Sequence, residues 1–250
     1  MITEPIPLLS LSDVYYEASG KQLIKEFSCQ FKTGPRNIII GPNGAGKSLL
    51  LKLCHRLLKP SQGYIQWHGQ TNDKSSVIFD QAMVFQRPVM LRRTAAENID
   101  YALSLRGLNK AQRNARTEEV LESTGLTPLA HCSARVLSFG EQQKLALARA
   151  WALKPKILFL DEPTASLDPA ATFEIEKVIN AIHNSGTEII MTTHDLPQAR
   201  RLADEVIFIH QGKLLESSSA TSFFKRPKNP YAQAFLNGDL LLWNQTEIKT

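Results

Sequence analysis

The sequence predicts an α/β fold, with a parallel sheet covered on both faces and one helical insertion. Three observations carry this. Short β-branched apolar runs, NIII (37–40), ILFL (157–160) and TEIIMTT (187–193), alternate with helical patterns. Strand signals vanish from about 88 to 136, where Ala, Leu, Glu, Arg and Asn dominate. The 250 residues are 43% hydrophobic and 21% charged, a globular balance with room for one large domain or two small ones.

Residues 8–40 read as short strands, and FSCQF (27–31) alternates as a half-buried strand should. NIII suits a strand buried on both faces. GPNGAG (41–46) is a glycine-rich turn, and KSLLLKLCHRLL (47–58) a helix pattern ended by Lys59, Pro60 and Gly63. YIQWHG (64–69) reads as strand and turn, and NKAQRNARTEEVLESTG (109–125) as a helix stopped at Gly125. GEQQKLALARAWALK (140–154) is a helix closed by Pro155, and the ILFL strand follows. Asp168 before Pro169 marks a helix start, because Asp accepts from free N–H groups and Pro fits the first turn. Ile175, Val178, Ile179 and Ile182 then form an apolar stripe, and Gly186 ends the helix. TEIIMTT is the next strand, DLPQARRLA (195–203) a helix, and EVIFIH–QG–KLLE (205–216) a hairpin-like pair. Residues 217–250 read as a helical end of uncertain role.

No stretch approaches the roughly 18 apolar residues of a membrane span. MITEPIPLLS has no basic segment and does not read as a secretory signal. Cys29, Cys54 and Cys132 show no C-x-x-C spacing and fit buried thiols in a reducing cytosol. Lys and Arg number 29 against 24 Asp and Glu, a net charge of +5, which permits an anionic partner without naming one.

GPNGAGKS (41–48) matches G-x-x-x-x-G-K-[ST] between a strand and a helix, the context its chemistry needs. Gly41, Pro42, Asn43, Gly44, Ala45 and Gly46 form a loop whose N–H groups can point at phosphate oxygens, and the helix start at Lys47, Ser48 and Leu49 adds positive charge. Lys47 can reach the β- and γ-phosphates, and the Ser48 hydroxyl can ligate Mg²⁺. ILFLDEP (157–163) ends a buried strand in two carboxylates, costly unless they are used. Asp161 is placed to hold Mg²⁺ through water, and Glu162 to polarise attacking water as a general base. These elements imply nucleotide binding and hydrolysis, but not what hydrolysis drives. LSFGEQQ (137–143) offers the Ser138 hydroxyl, the Gly140 backbone and a helix dipole to an anion. A second phosphate-binding surface on one chain makes sense if two copies sit head to tail, each lending it to the other's nucleotide.

GPNGAGKS, Gln86, LSFGEQQ, ILFLDEP, ASLD (165–168) and TTHD (192–195) occur in the order found in ATP-binding cassette (ABC) ATPases, and the resemblance spans about residues 8–216. It implies a P-loop NTPase (RecA-like) fold: a mainly parallel sheet, an N-terminal antiparallel β-subdomain and a helical subdomain inserted at about 88–150. The ATPase domain would be 1–216 and the tail 217–250. It further implies that Gln86 approaches Mg²⁺ and the attacking water, that Asp168 lies at the dimer seam, and that His194 contacts the γ-phosphate. Phe139 and Glu141 depart from the usual LSGGQ, and Leu49 stands where Thr or Ser often follows the loop Ser. An aromatic residue usually stacks on adenine. Ala18 falls near its position, with Tyr15 and Tyr16 slightly early, so Tyr16 is the candidate and two plain strand tyrosines are the alternative.

FQRPVMLRRTAAENIDYAL (85–103) covers the region that meets the permease in this family, with Val89, Met90 and Leu91 supplying apolar contact and Arg92 and Arg93 charge. Its wording resembles oxyanion importers, most closely the tungstate group. The resemblance implies an importer motor at the cytoplasmic face of the membrane, with transmembrane permease subunits and a second copy as partners. A substrate-binding protein would be an indirect partner, and nucleic acid none. The alternatives are importers of phosphate, molybdate or amino acids, or a soluble ABC ATPase.

Overall fold

The computed structural model describes residues 7–67 and 80–239. The expected turn at His68–Gly69, residues 1–6 and the tail beyond 239 lie outside these. A small sheet joins β1 (Pro7–Ala18), β2 (Lys21–Lys32) and β4 (Gln62–Trp67) in the order β2-β1-β4, with both pairings antiparallel. A second sheet holds β3 (Asn37–Ile40), β5 (Gln81–Val84), β6 (Ile157–Asp161), β7 (Glu188–Thr193), β8 (Glu205–His210) and β9 (Lys213–Ser219), in the order β5-β6-β7-β3-β8-β9. Its first five strands run parallel, and β9 returns antiparallel to β8 through Gln211 and Gly212, both with positive φ.

The helices are α1 (Lys47–Cys54), α2 (Ala95–Ser104), α3 (Lys110–Ser123), α4 (Phe139–Ala152), α5 (Pro169–Asn184), α6 (Leu196–Leu202), α7 (Ala220–Lys225) and α8 (Pro230–Asn237). Helix α1 stops short of the expected residue 58. Arg56 has a φ of +65°, and the N–H groups of Leu57 and Leu58 both turn back to the Lys52 carbonyl. The insertion holds α2, α3 and α4, with a short 3₁₀ turn at Thr127–Leu129. Among the described residues no helix is long and apolar enough to cross a membrane.

The parallel strands are buried on both faces, as their unbroken apolar runs require. Ile38, Ile40, Leu158, Leu160, Ile189 and Met191 share one apolar cluster with the α5 stripe and the insertion. Ile39, Phe159, Ile190 and Ile207 point the other way, to Leu50, Leu51 and Leu53 of α1 and to Leu9, Phe27 and Phe31 of the small sheet. Strand β9 runs to Ser219, past the expected boundary at 216, and Phe223 of α7 is fully buried beside Phe208.

The register brings the chemistry together. Ile40 pairs with Thr193, and Asp161 with Thr192, so β3, β6 and β7 end side by side. The loops leaving them, 41–46, 162–168 and 194–195, therefore meet at the carboxyl edge of the sheet, the usual location for a ligand in such folds.

Candidate functional site

The phosphate-type loop is held by its own backbone. Gly41 lies so close to β8 that a Cβ there would sit 2.1 Å from the Ile209 carbonyl oxygen. Gly46, with φ +103°, caps α1 without any side-chain hydrogen bond. The first-turn N–H groups of an α-helix have no acceptor within the helix. With no side chain capping them here, they form a seat for an anion.

Lys47, 5% exposed, points its ammonium back under the loop. Its Nζ donates to the carbonyls of Gly41 at 3.0 Å and Pro42 at 3.2 Å, and lies 3.2 Å from Glu162 Oε1. Glu162 Oε2 is 2.9 Å from His194 Nδ1. Glu162 itself has a φ of +45°, a strained conformation for a residue with a side chain. Its N–H is held by Thr192, donating to the hydroxyl at 3.0 Å and the carbonyl at 3.2 Å. The Thr192 hydroxyl in turn donates to Asp161 Oδ1 at 2.8 Å, and Ser48 Oγ donates to the same oxygen at 2.7 Å. Asp161 is thus buried but satisfied, the condition for a carboxylate to be tolerated there.

A cavity of about 450 Å³ is lined by Asn43, Gly44, Ala45, Gly46, Lys47, Ser48, Leu49, Gln86, Glu162 and His194. Gly41 and Pro42 adjoin it through Lys47, and Asp161 through Ser48. The structure therefore joins four sequence-distant elements, GPNGAGKS, Gln86, ILFLDEP and TTHD, in one concave site. Ser138, Gly140, Asp168 and Tyr16 do not line it.

Ser138, Gly140 and Asp168 form a separate surface. Asp168 accepts the Ala171 N–H at 2.8 Å and caps α5. A Cβ at Gly140 would lie 3.3 Å from the Ala171 side chain, so a small residue lets α4 start against α5. Ser138 and Glu141 cap α4 reciprocally: the Glu141 N–H donates to Ser138 Oγ at 3.4 Å, while the Ser138 hydroxyl donates to Glu141 Oε2 at 2.7 Å and its N–H to the same oxygen at 2.8 Å. The two bonds to Oε2, the hydroxyl first, hold the Glu141 carboxyl below its ordinary range. Phe139 is 37% exposed beside them. Tyr16 pairs with Ile24 and packs against the small-sheet cluster, and Tyr15 pairs with Gln62.

Two side chains of α4, Gln143 at the end of LSFGEQQ and Arg149 beyond it, also hold the Gln86 segment. The buried amide of Gln143 donates to the Phe85 carbonyl at 3.4 Å, and Arg149 to the Val89 carbonyl at 3.0 Å. Both project from α4, tying it to that segment. Asn98 is fully buried, accepts the Leu91 N–H at 3.1 Å and donates to the Thr94 carbonyl at 2.9 Å. A polar residue at a buried helix position was the only sequence signal for Asn98.

Among the described residues no three His, Cys, Asp or Glu side chains converge on a metal site. The donors present, one hydroxyl on one carboxylate beside an anion seat, suit a hard cation that takes its other oxygens from phosphates and water. The cavity can accordingly seat a polyphosphate and place a carboxylate beside its far end.

A family model described as ABC transporter matches residues 24–165. The chain is 38% identical over 210 residues to a tungstate uptake system ATP-binding protein, TupC, of Peptoclostridium acidaminophilum, covering 84% of this chain and 97% of that protein. It is 32% identical over 248 residues to the phosphate import ATP-binding protein PstB 2 of Natronomonas pharaonis, covering 93% and 87%. The solved structure of cbiO1 from Clostridium perfringens, part of the ABC transporter complex cbiONQ, superposes with a TM-score of 0.81 at 28% identity, covering 88% of this chain and 91% of that one. With more than half its length matched and the fold shared, this chain belongs to the ABC transporter family, as an ATP-binding subunit that hydrolyses ATP to drive transport.

Proposed function

We propose that the chain is the motor subunit of an importer for tungstate or a related oxyanion, working as a head-to-tail dimer beneath a permease. The observation that carries the dimer is the separation of two surfaces. Residues 43–49, Gln86, Glu162 and His194 share one cavity, while Ser138, Gly140 and Asp168 lie outside it. A second copy brings those three to the nucleotide, with ATP between them and the 41–48 loop.

Residues 41–49 seat the phosphates of ATP, and Tyr16 is the candidate to stack on adenine. Lys47 bridges to Glu162 across 3.2 Å. When Lys47 turns to the β- and γ-phosphates, Glu162 is released to act as general base. The attacking water gives its proton to Glu162 as its oxygen bonds to the γ-phosphorus, and the bond to ADP breaks. His194 holds the other Glu162 oxygen and lies where it can meet the γ-phosphate. Ser48, Asp161 and Gln86 would hold Mg²⁺, which when bound neutralises phosphate charge. Binding energy closes the dimer and shifts the permease, and hydrolysis resets it.

The permease would dock on the 85–103 segment, where Val89 is 73% exposed and Arg92 and Arg93 supply charge. The subunit would then sit peripherally on the cytoplasmic face, and a binding protein would act on it only through the permease. The choice of solute is supported by the 38% identity to the tungstate relative, against 32% to 35% for the phosphate import relatives. The test is ATPase stimulation of the reconstituted transporter by binding protein loaded with tungstate, molybdate, phosphate or sulfate. Tungstate should stimulate most. Stimulation by phosphate alone would overturn the solute, and stimulation by none would overturn the importer.

A further inference from the structure

Beyond the strand ends, where Thr192 holds Glu162, the segments carrying His194 and Glu162 meet twice more. One contact is the pair itself, at 2.9 Å. The other is deeper. Gln198, fully buried on α6, donates from Nε2 to Thr164 Oγ1 at 2.7 Å and to Glu176 Oε1 at 3.3 Å. Its backbone N–H donates to Asp195 Oδ1 at 2.9 Å. Glu176 on α5 also grips Arg201 of α6, from Nε at 2.8 Å and Nη2 at 2.7 Å. Helix α6 is therefore pinned to α5 by an ion pair, and to the loop after β6 by one amide.

Two features mark that amide as more than packing. Gln198 Oε1 is buried with no hydrogen-bond partner. Such an orphan costs about 1–3 kcal/mol, which offsets much of what the two donated bonds contribute to stability. The loop it holds is strained, with Glu162 at φ +45° and Ser166 at φ +68°. Left-handed residues persist only where their surroundings over-determine them. Thr192 restrains Glu162 from the strand side, and Gln198 restrains Thr164 from the helix side.

We infer that Gln198 is a positioning residue for hydrolysis: through Thr164 it sets the Glu162 loop against His194, and so governs turnover rather than ATP binding. This rests on the reading that Glu162 and His194 act in hydrolysis. Displacing reacting groups by about 1 Å can cost on the order of 100-fold in rate. Gln198→Met and Thr164→Val remove the bond from either end with little change of shape. Turnover of the reconstituted transporter should fall about 10- to 100-fold in each, with KM for ATP within about twofold, and the double variant should be no worse than either single one. The His194 imidazole resonances of the isolated chain should move in both. If Gln198→Met does not fold, Thr164→Val carries the same readouts. Lower thermal stability with unchanged kcat and unmoved His194 resonances would overturn the inference, as would a rise in KM alone. His194→Ala separates the two readings. If it slows turnover and Gln198→Met does not, only this inference falls; if it leaves turnover intact, the site reading falls too.

Discussion

Thr192 places a single hydroxyl between Asp161 and Glu162. It donates to the Asp161 side chain and accepts the Glu162 N–H. Thr192→Val keeps the shape and removes one bond from each partner, leaving Asp161 its bond from Ser48 and the Glu162 N–H its bond to the Thr192 carbonyl, so stability should fall by about 0.5–1.5 kcal/mol. Turnover should fall with it, as denaturant unfolding and ATPase assays would read. Gly41 is limited by space: a Cβ 2.1 Å from the Ile209 carbonyl oxygen must push the loop off β8. Gly41→Ala should therefore abolish nucleotide binding in calorimetry even where the chain folds. His55 answers to pH. Burial holds its pKa below the ordinary 6.5, so the folded form keeps it neutral. Between its folded pKa and about 6.5 the unfolded chain binds more protons, so stability rises with pH there and drops on acidification. Thermal melts should fall as pH drops below about 6.5, and His55→Phe, with an aromatic ring retained against Phe159, should flatten the slope.

At the scale of elements, α4 begins on a reciprocal cap that uses Glu141 where the family usually has Gln. Ser138→Ala should cost about 1 kcal/mol of stability, read in denaturant melts. Helix α7 is an integral part of the second sheet's packing. Phe223 lies 6.0 Å from the Phe208 ring, and Phe235 of α8 lies 5.4 Å from it. Phe223→Ala should destabilise by about 3–5 kcal/mol in the same assay. The sequence made the strands of the parallel sheet legible because burial on both faces leaves unbroken apolar runs, as in NIII and ILFL. It marked α5 through Asp168, Pro169 and the isoleucine stripe. It overran α1, because Arg56 adopts a left-handed turn that nothing in its side chain signals. It left the 217–225 stretch as uncertain tail, because the value of Phe223 depends on Phe208 across the sheet edge.

At the scale of the whole molecule, the loops after β3, β6 and β7 were legible as motifs, and parallel register explains why they meet. The links between them were not legible. Gln198 to Thr164, Gln143 to Phe85 and Arg149 to Val89 join residues far apart in sequence, and no local pattern announces such bonds. Tyr16, the candidate adenine contact, packs against the small-sheet cluster and does not line the phosphate cavity. In the proposed head-to-tail dimer the Ser138–Asp168 surface of one copy completes the cavity of the other, so ATP turnover should depend steeply on protein concentration for the isolated subunit. The most direct test of the account is Glu162→Gln, assayed for ATP turnover and for oligomeric state with ATP present. Turnover should fall by about 10²–10⁴-fold, the share of a general base, while an ATP-bound dimer accumulates. Full turnover in that variant, or a chain that stays monomeric with ATP bound, would contradict it.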